Sequence, residues 1–328
     1  MTKRAGIICA GNWIVDLIHE VDRWPNESEL TRIGLQTRGV GGGAANVISA
    51  LAKFETGVPL YPMGALGDDE HGAFILSECT ALGLSVSGLT TKFGVATAHT
   101  HVMSVAGQSR TFFYQGGAND VLGVEDFPLG TFAGATAKIF YLGYLTLLGT
   151  LDEATPEGPT NAARVLERAS RAGMITCVDL VSMPHPRFPE IVASAAPFLD
   201  FLVTNEIEAA LALGGKPSTD PNDLLNMARA LHQHGVRKAT IVHCAERAVW
   251  FGQDDDAHVI DAVPLPQAEI ASTLGAGDAF CAGLLYGIHE EMPAVRCVSL
   301  AMAVARASLK GLTATSAIPS IQLLNSPK

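Results

Sequence analysis

The sequence predicts an α/β protein built on a mostly parallel sheet with helices on both faces. Short apolar runs alternate with longer amphipathic ones in repeated strand–helix–strand order, and a parallel sheet covered by helices satisfies that order. A composition of 48% hydrophobic and 17% charged residues over 328 positions is ample for a large core, in one large domain or two smaller ones.

The first strand falls at 7–10, followed by a helix over 44–54 and a strand over 58–65. Residues 69–82 (DEHGAFILSECTAL) have helical spacing and stop at Gly83, whose freedom at positive φ suits a helix end. Strands at 138–142, 174–179, 201–204 and 239–244 alternate with helices at 161–172, 206–213 and 223–234. Helices over 276–289 and 294–309 complete the series. Residues 152–160 and 214–223 are loops by their Gly, Pro and Asp content. Two regions break the rhythm. Residues 13–40 and 95–115 lack helical period and are rich in strand formers, and 97–105, the turn 106–108 and 109–114 predict a hairpin. These regions read as a small β-layer placed over the main sheet as a lid.

A net charge of −11 argues against a nucleic-acid backbone or an anionic membrane as partner. The six cysteines lack CxxC spacing, so the reading is reduced cytoplasmic thiols rather than a disulfide framework or zinc site. The basic-then-apolar N-terminus superficially resembles a signal peptide. Gly6, Gly11, Asn12 and Asp16 interrupt its apolar run, however, so a buried first strand is the better account. No stretch approaches the roughly 18 apolar residues of a membrane span.

The chemistry concentrates in STLGAGDAF, residues 272–280. Gly275, Ala276 and Gly277 can direct backbone N–H groups to one point, and the helix start behind them favours an anion. Asp278 would repel a phosphate as its ligand but makes sense as a proton acceptor beside a transferring phosphoryl group. GGGAAN (41–46) opens another helix; as a lone glycine run it reads first as a tight turn with close packing, and Asn46 can meet a ligand or cap. Asp16 follows the first strand, where ligands of open parallel sheets bind; an acid there can hold two hydroxyls of a polyol, or stand as a solvated loop acid. Asn205 and Glu208 can hold hydrated magnesium; taken alone they read as helix capping. The pairs His99/His101 and His232/His234 read as structural, and Phe112, Phe113 and Tyr114 as strand residues with at least one in the core. GxSxG and GxxxxGK[ST] are both absent, which argues against a serine hydrolase and a P-loop kinase.

GGGAAN, GDDEHG (67–72), GGAND (116–120), TNEIE (204–208) and TLGAGD (273–278) together resemble the ribokinase-like (PfkB) carbohydrate kinase family, in order and spacing, from about 7 to about 319. The resemblance implies a single three-layer α/β sandwich over 1–328 with a β-lid from 13–40 and 95–115. It also implies ATP as donor, Mg2+ as helper and a sugar or nucleoside acceptor. By position it makes Asp278 the base and Gly275, Ala276 and Gly277 the anion hole. Asp16, Gly41, Gly42, Asn46 and Asn119 fall on substrate positions, and Asn205 and Glu208 on the magnesium and phosphate motif. His243 and Ala245 fall on the nucleotide side.

Several positions depart from the pattern. Ser272 replaces an aspartate that helps bind a monovalent cation, which argues against potassium activation. His243, Ala245 and Ala248 replace a Thr and two glycines of the nucleotide loop. Ile14 stands where ribokinases contact ribose with a polar residue, and Thr313 replaces a frequent glycine. The expectation is an ATP-dependent sugar kinase, with a nucleoside kinase or a non-catalytic sugar or nucleotide binder as alternatives. Pairing of exposed lid edges predicts a homodimer.

Overall fold

A computed structural model describes residues 5–108, 110–130, 137–156 and 158–325. Its main sheet runs in the order β13 (Ala257–Asp261), β12 (Arg247–Gly252), β11 (Ala239–His243), β10 (Phe201–Asn205), β9 (Ile175–Leu180), β8 (Ala137–Leu145), β1 (Gly6–Gly11), β4 (Leu60–Gly67), β5 (Leu89–Lys92). Every pairing from β11 to β5 is parallel, while β12 and β13 add antiparallel at one edge.

β1 shows why the sheet is covered on both faces. All of GIICAG is buried, and its side chains alternate between two cores. Ile7 and Cys9 join α1 (Gly43–Lys53), α2 (Glu70–Ala81), α7 (Ala276–His289) and α8 (Ala294–Ser308). Ile8 and Ala10 join α3 (Asn161–Arg171), α4 (Phe188–Ala195), α5 (Glu206–Leu213) and α6 (Pro221–His232). A period of two on a strand makes this division automatic once both faces are dry.

The two irregular regions form a second sheet in the order β3 (Ile33–Gly41), β2 (Ile14–Val21), β6 (His99–Val105), β7 (Thr111–Gln115). The predicted hairpin is β6–β7, with Gly107 at φ +74 in its turn; Ser109, which the sequence places in it, lies outside the described residues. Asp69 ties this sheet to the main body. It caps α2 by accepting from the Gly72 N–H (2.8 Å), and it accepts from the Thr97 N–H (2.7 Å) and hydroxyl (2.6 Å) at the entry to β6.

Most elements of the sequence reading fall within a residue or two of the observed ones, but the strand expected at 138–142 continues three residues further, to Leu145. The helix expected from 223 begins at Pro221, because Asp220 caps it and proline at the first position loses no hydrogen bond. β5, α4, β12 and β13 were not expected: each is short, and α4 carries a proline in its first turn. The expectation that one of Phe112, Phe113 and Tyr114 joins the core does not hold. Phe112 and Phe113 are about half exposed, and Phe113 stacks on Trp24 at 6.3 Å.

Burial pushes the Asp69 carboxyl up, but the Thr97 hydroxyl and the Gly72 and Thr97 N–H groups outweigh it and hold the group below the usual carboxylate range. A depressed folded-state pKa gives stability that is full above the unfolded value and is lost as pH falls through the folded one. Asp69→Ala should therefore cost about 1–2 kcal/mol at pH 7. In urea titrations the gap between the two proteins should narrow as pH falls below about 4; a gap that does not narrow in acid would contradict this assignment.

Candidate active site

The C-terminal ends of the parallel strands and the small sheet enclose a cavity of about 470 Å³, within the range of small-molecule sites. Asp278 sits in the first turn of α7, preceded by Gly275 at φ +73, where a side chain would also run into Ala314. Its carboxyl is buried, and two donors converge on Oδ2: the Asn46 amide from α1 (2.8 Å) and the Tyr144 hydroxyl from the end of β8 (2.9 Å). Burial pushes the Asp278 carboxyl up to about 7; the bonds from Asn46 and Tyr144 pull it down, and the charges of Asp16 and Glu208 push it up again. A carboxyl that titrates near neutrality can take or give a proton at working pH.

Asp16 lies on β2, opposite Thr100 of β6 and Gly39 of β3. Burial raises it to about 6 against a hydrogen bond from Thr100 and the charge of Arg110. Gly41 does not line the cavity, but its missing side chain is the space the Asp16 carboxylate fills. Gly42, at φ +91, precedes α1, and Gly43 lies under the Tyr144 ring. The glycine run therefore serves close packing, and Gly42 and Asn46 face the cavity as well. Asn119 is fully buried away from it: its amide holds the Trp13 N–H (3.3 Å) and carbonyl (3.2 Å) and reaches the Tyr114 hydroxyl (3.3 Å). It fixes the chain between β1 and β2, and so where Ile14 and Asp16 stand.

Asn205 and Glu208 line the cavity and form a capping box at the start of α5. The Asn205 side chain accepts from the Ile207 and Glu208 N–H groups (2.9 and 2.8 Å), and Glu208 accepts from the Asn205 N–H (3.0 Å). Ser182 also donates to Glu208 (2.8 Å), and burial raises its carboxyl. No group of three His, Cys, Asp or Glu among the described residues is arranged to hold a metal. A magnesium ion that keeps its waters needs fewer protein oxygens, and the Asn205 and Glu208 side-chain oxygens could accept hydrogen bonds from those waters.

His243 lines the cavity, stacks on Phe280 at 4.5 Å and is lowered to about 4 by desolvation, so its ring is neutral at physiological pH. Ala245 is exposed in the β11–β12 connection and does not line the cavity. Neither Ala245 nor Ala248 adopts positive φ, so replacing glycine there costs no backbone strain. His101 stacks on His19, and His99 meets His101 edge-on and His71 at a tilt, in a cluster that does not line the cavity; His232 packs edge-on to Phe251.

The sequence profile of the pfkB family carbohydrate kinases matches residues 4–321. This chain belongs to that family. It is 26% identical over 328 residues to a deoxyribokinase of Salmonella typhi, with 97% of each chain covered. It is 24% identical to a ribokinase of Arabidopsis thaliana, over 96% of this chain and 78% of that one. Its fold matches the A. thaliana ribokinase structure complexed with ribose and ATP at a TM-score of 0.79, with 23% identity over 99% and 100% of the two chains. A ribokinase structure from Giardia lamblia gives 0.80 at 18% identity, covering 98% of both. The chain is thus an α/β phosphotransferase of the carbohydrate kinase family, with ATP and a sugar as its family's substrates.

Two residues of this family member's cavity escaped the sequence reading. Tyr144 falls just past the strand expected at 138–142, and it adopts φ +57 where β8 slips register against β9, with its ring lining the cavity. Its N–H also donates to Asp179 Oδ1 (2.8 Å). Asp179 closes a predicted strand, and a carboxylate at that end of a parallel strand was a usable signal. Burial, then the Asp278 charge, raises it well above the usual range.

A hydrogen bond to the ionised form favours it, so Tyr144→Phe should raise the Asp278 pKa by about one unit. Carbon-detected NMR titration of the Asp278 carboxyl reads this directly; an unchanged or lowered value would remove Tyr144 from its control.

Proposed function

We propose that the chain transfers the γ-phosphoryl group of ATP to a hydroxyl of a sugar seated between Asp16 and Asp278. The arrangement around Asp278 carries the reading. Asn46 and Tyr144 occupy Oδ2, which leaves Oδ1 to take the acceptor's proton, at a pKa matched to neutral pH. The amides of Gly275, Ala276 and Gly277 would hold the transferring group. The Ala276 N–H donates to the Thr273 carbonyl at a long 3.3 Å, a bond weak enough to exchange for a phosphate oxygen. Asp16 and Thr100 would bind acceptor hydroxyls, with Gly41 leaving room for the carboxylate. Asn205 and Glu208 would hold magnesium through water, and His243 and the Ala245 turn would border the nucleotide. Ser272 offers only a hydroxyl, which accepts from the Leu274 N–H (3.0 Å) and from Arg110 (3.0 Å), so transfer would not depend on potassium.

A nucleoside acceptor is the second reading, favoured by Phe112 and Tyr114, which line the cavity from the small sheet beside Ile14. The outer strand β3 exposes Ile33 and Leu35, and pairing two such edges would make the homodimer. Six free thiols suit a reducing, cytoplasmic setting.

ADP release over a panel of sugars and nucleosides, with magnesium and with or without potassium, identifies the acceptor class. Asp278→Asn should lower kcat by about 10²-fold or more with the fold intact, and the ascending limb of kcat/KM against pH should fall near 6–7 in the wild type. Near-normal turnover of that variant removes Asp278 as the base. By light scattering the chain should weigh twice its 34.4 kDa; a monomeric mass would refute lid pairing.

A further inference from the structure

Four histidines gather on the side of the small sheet that turns away from the cavity. Side chains alternate along β2 and β6: Asp16 and Thr100, paired in register, line the cavity, while His19, His99 and His101 take the opposite face. α2 lies against that face. Its His71 meets His99 with ring centroids 5.3 Å apart, and Arg38 of β3 lies over the Phe74 ring at 4.3 Å and pairs with Glu70 at 3.1 Å. His99 meets His101 at 5.5 Å. His101 stacks on His19 at 5.2 Å, with its Nδ1 3.0 Å from His19 Nε2. The rings form one row across the joint between the small sheet and the main body.

Such a row is stable only while most of its rings are neutral. The His19–His101 bond needs one N–H and one bare nitrogen, so the pair can hold one extra proton but not two. An imidazolium also donates from both nitrogens, and His19 Nδ1 and His71 Nδ1 are buried with no partner among the described residues. Burial lowers the His101 pKa, and the charges of His19, His99 and His71 lower it further. The charges around the row do not cancel four imidazolium ions. From α2 come Asp69, close enough to His71 to be lowered by its charge, and Glu70, which Arg38 already pairs. Arg38 adds a positive charge from β3, where the residue opposite His19 is the neutral Gln36. On β7 the residues opposite His99 and His101 are Gln115 and Phe113, also neutral.

We propose that this cluster is an acid-sensitive latch: with neutral rings it holds the small sheet on α2 and over the cavity, and protonation of the rings drives the two apart. Asp16 and Thr100 stand on the same two strands as three of the rings, so release carries the acceptor-binding groups away with the sheet. A ring whose folded-state pKa lies below its free value gives stability that is full above the free value, about 6.5, and is lost as pH falls toward the folded one. Closure is therefore favoured at neutral pH and weakens in mild acid. The loss of acceptor capture that follows rests on the kinase reading above; the latch itself does not.

Hydrogen exchange of the full chain without ligands tests this apart from turnover, which the cavity carboxyls also make pH-dependent. After correction for intrinsic exchange, protection of β2, β6 and α2 should fall about 10-fold between about pH 7.5 and 5.5 relative to the main sheet, since one ring held one pKa unit down accounts for a factor of ten. The double variant His99→Gln/His101→Gln removes the β6 rings but keeps polar groups, and its protection should change less than about 2-fold over that range. Protection independent of pH in the wild type overturns the proposal. So does equal opening in the variant, which would assign the effect to Asp16 or Asp69. Proton NMR titration of the wild-type rings tests the same point without any variant: His101 should titrate below the ordinary histidine range, and a value of about 6.5 overturns the latch. If the wild type opens in acid but phosphorylates no sugar or nucleoside, the kinase reading fails and the latch stands; turnover with pH-independent protection removes the latch alone.

Discussion

The buried carboxyl of Asp278 is the point on which the site depends. A charge in that position is costly unless donors reach it, and the two that do come from distant parts of the chain: Asn46 in the first turn of α1 and Tyr144 at the end of β8. The bonds fix α1, α7 and β8 relative to one another at one atom. The rest of the cavity inherits that geometry, because Gly42 precedes α1 on the cavity side and Gly275 turns the chain into α7.

The fold makes this possible through an ordinary property of parallel sheets. Carboxyl ends of adjacent strands open to one side, so Asp179, Asn205 and His243 arrive together from β9, β10 and β11 without any local sequence relation. The small sheet brings the remaining polar groups from above. Asp69 and Asn119 act where it joins the main body: one joins α2 to the entry of β6, and the other clamps the Trp13 backbone between β1 and β2. Neither contacts the cavity, yet both decide where Asp16 stands.

Gathering acids in one cavity has a consequence. Each raises the pKa of its neighbours, so Asp278 reaches neutrality from burial reinforced by Asp16 and Glu208 rather than from any single contact. The same accumulation makes the entry of an anionic substrate unfavourable until cations and amides compensate.

Periodicity and glycine placement were legible in the sequence. They gave the covered parallel sheet, the β-rich insertions and the α7 start at Ala276, and they singled out Asp278 as the expected base there. These rest on local physics: period two on a strand, period 3.6 on a helix, and φ > 0 at Gly275. Short edge elements such as β5 and α4 were not legible, since a few residues carry too little pattern to outweigh tertiary packing. Roles that depend on where a side chain ends were decided only in three dimensions. Asn119 turned out to grip a backbone rather than face the cavity, and Ala245 to stand outside it. Tyr144 became a partner of Asp278 because β8 slips register and places that residue at φ +57, which no local rule assigns to tyrosine. A hydrogen bond between residues 134 or 232 positions apart leaves no local trace in the sequence; only the packed sheet brings its ends within reach.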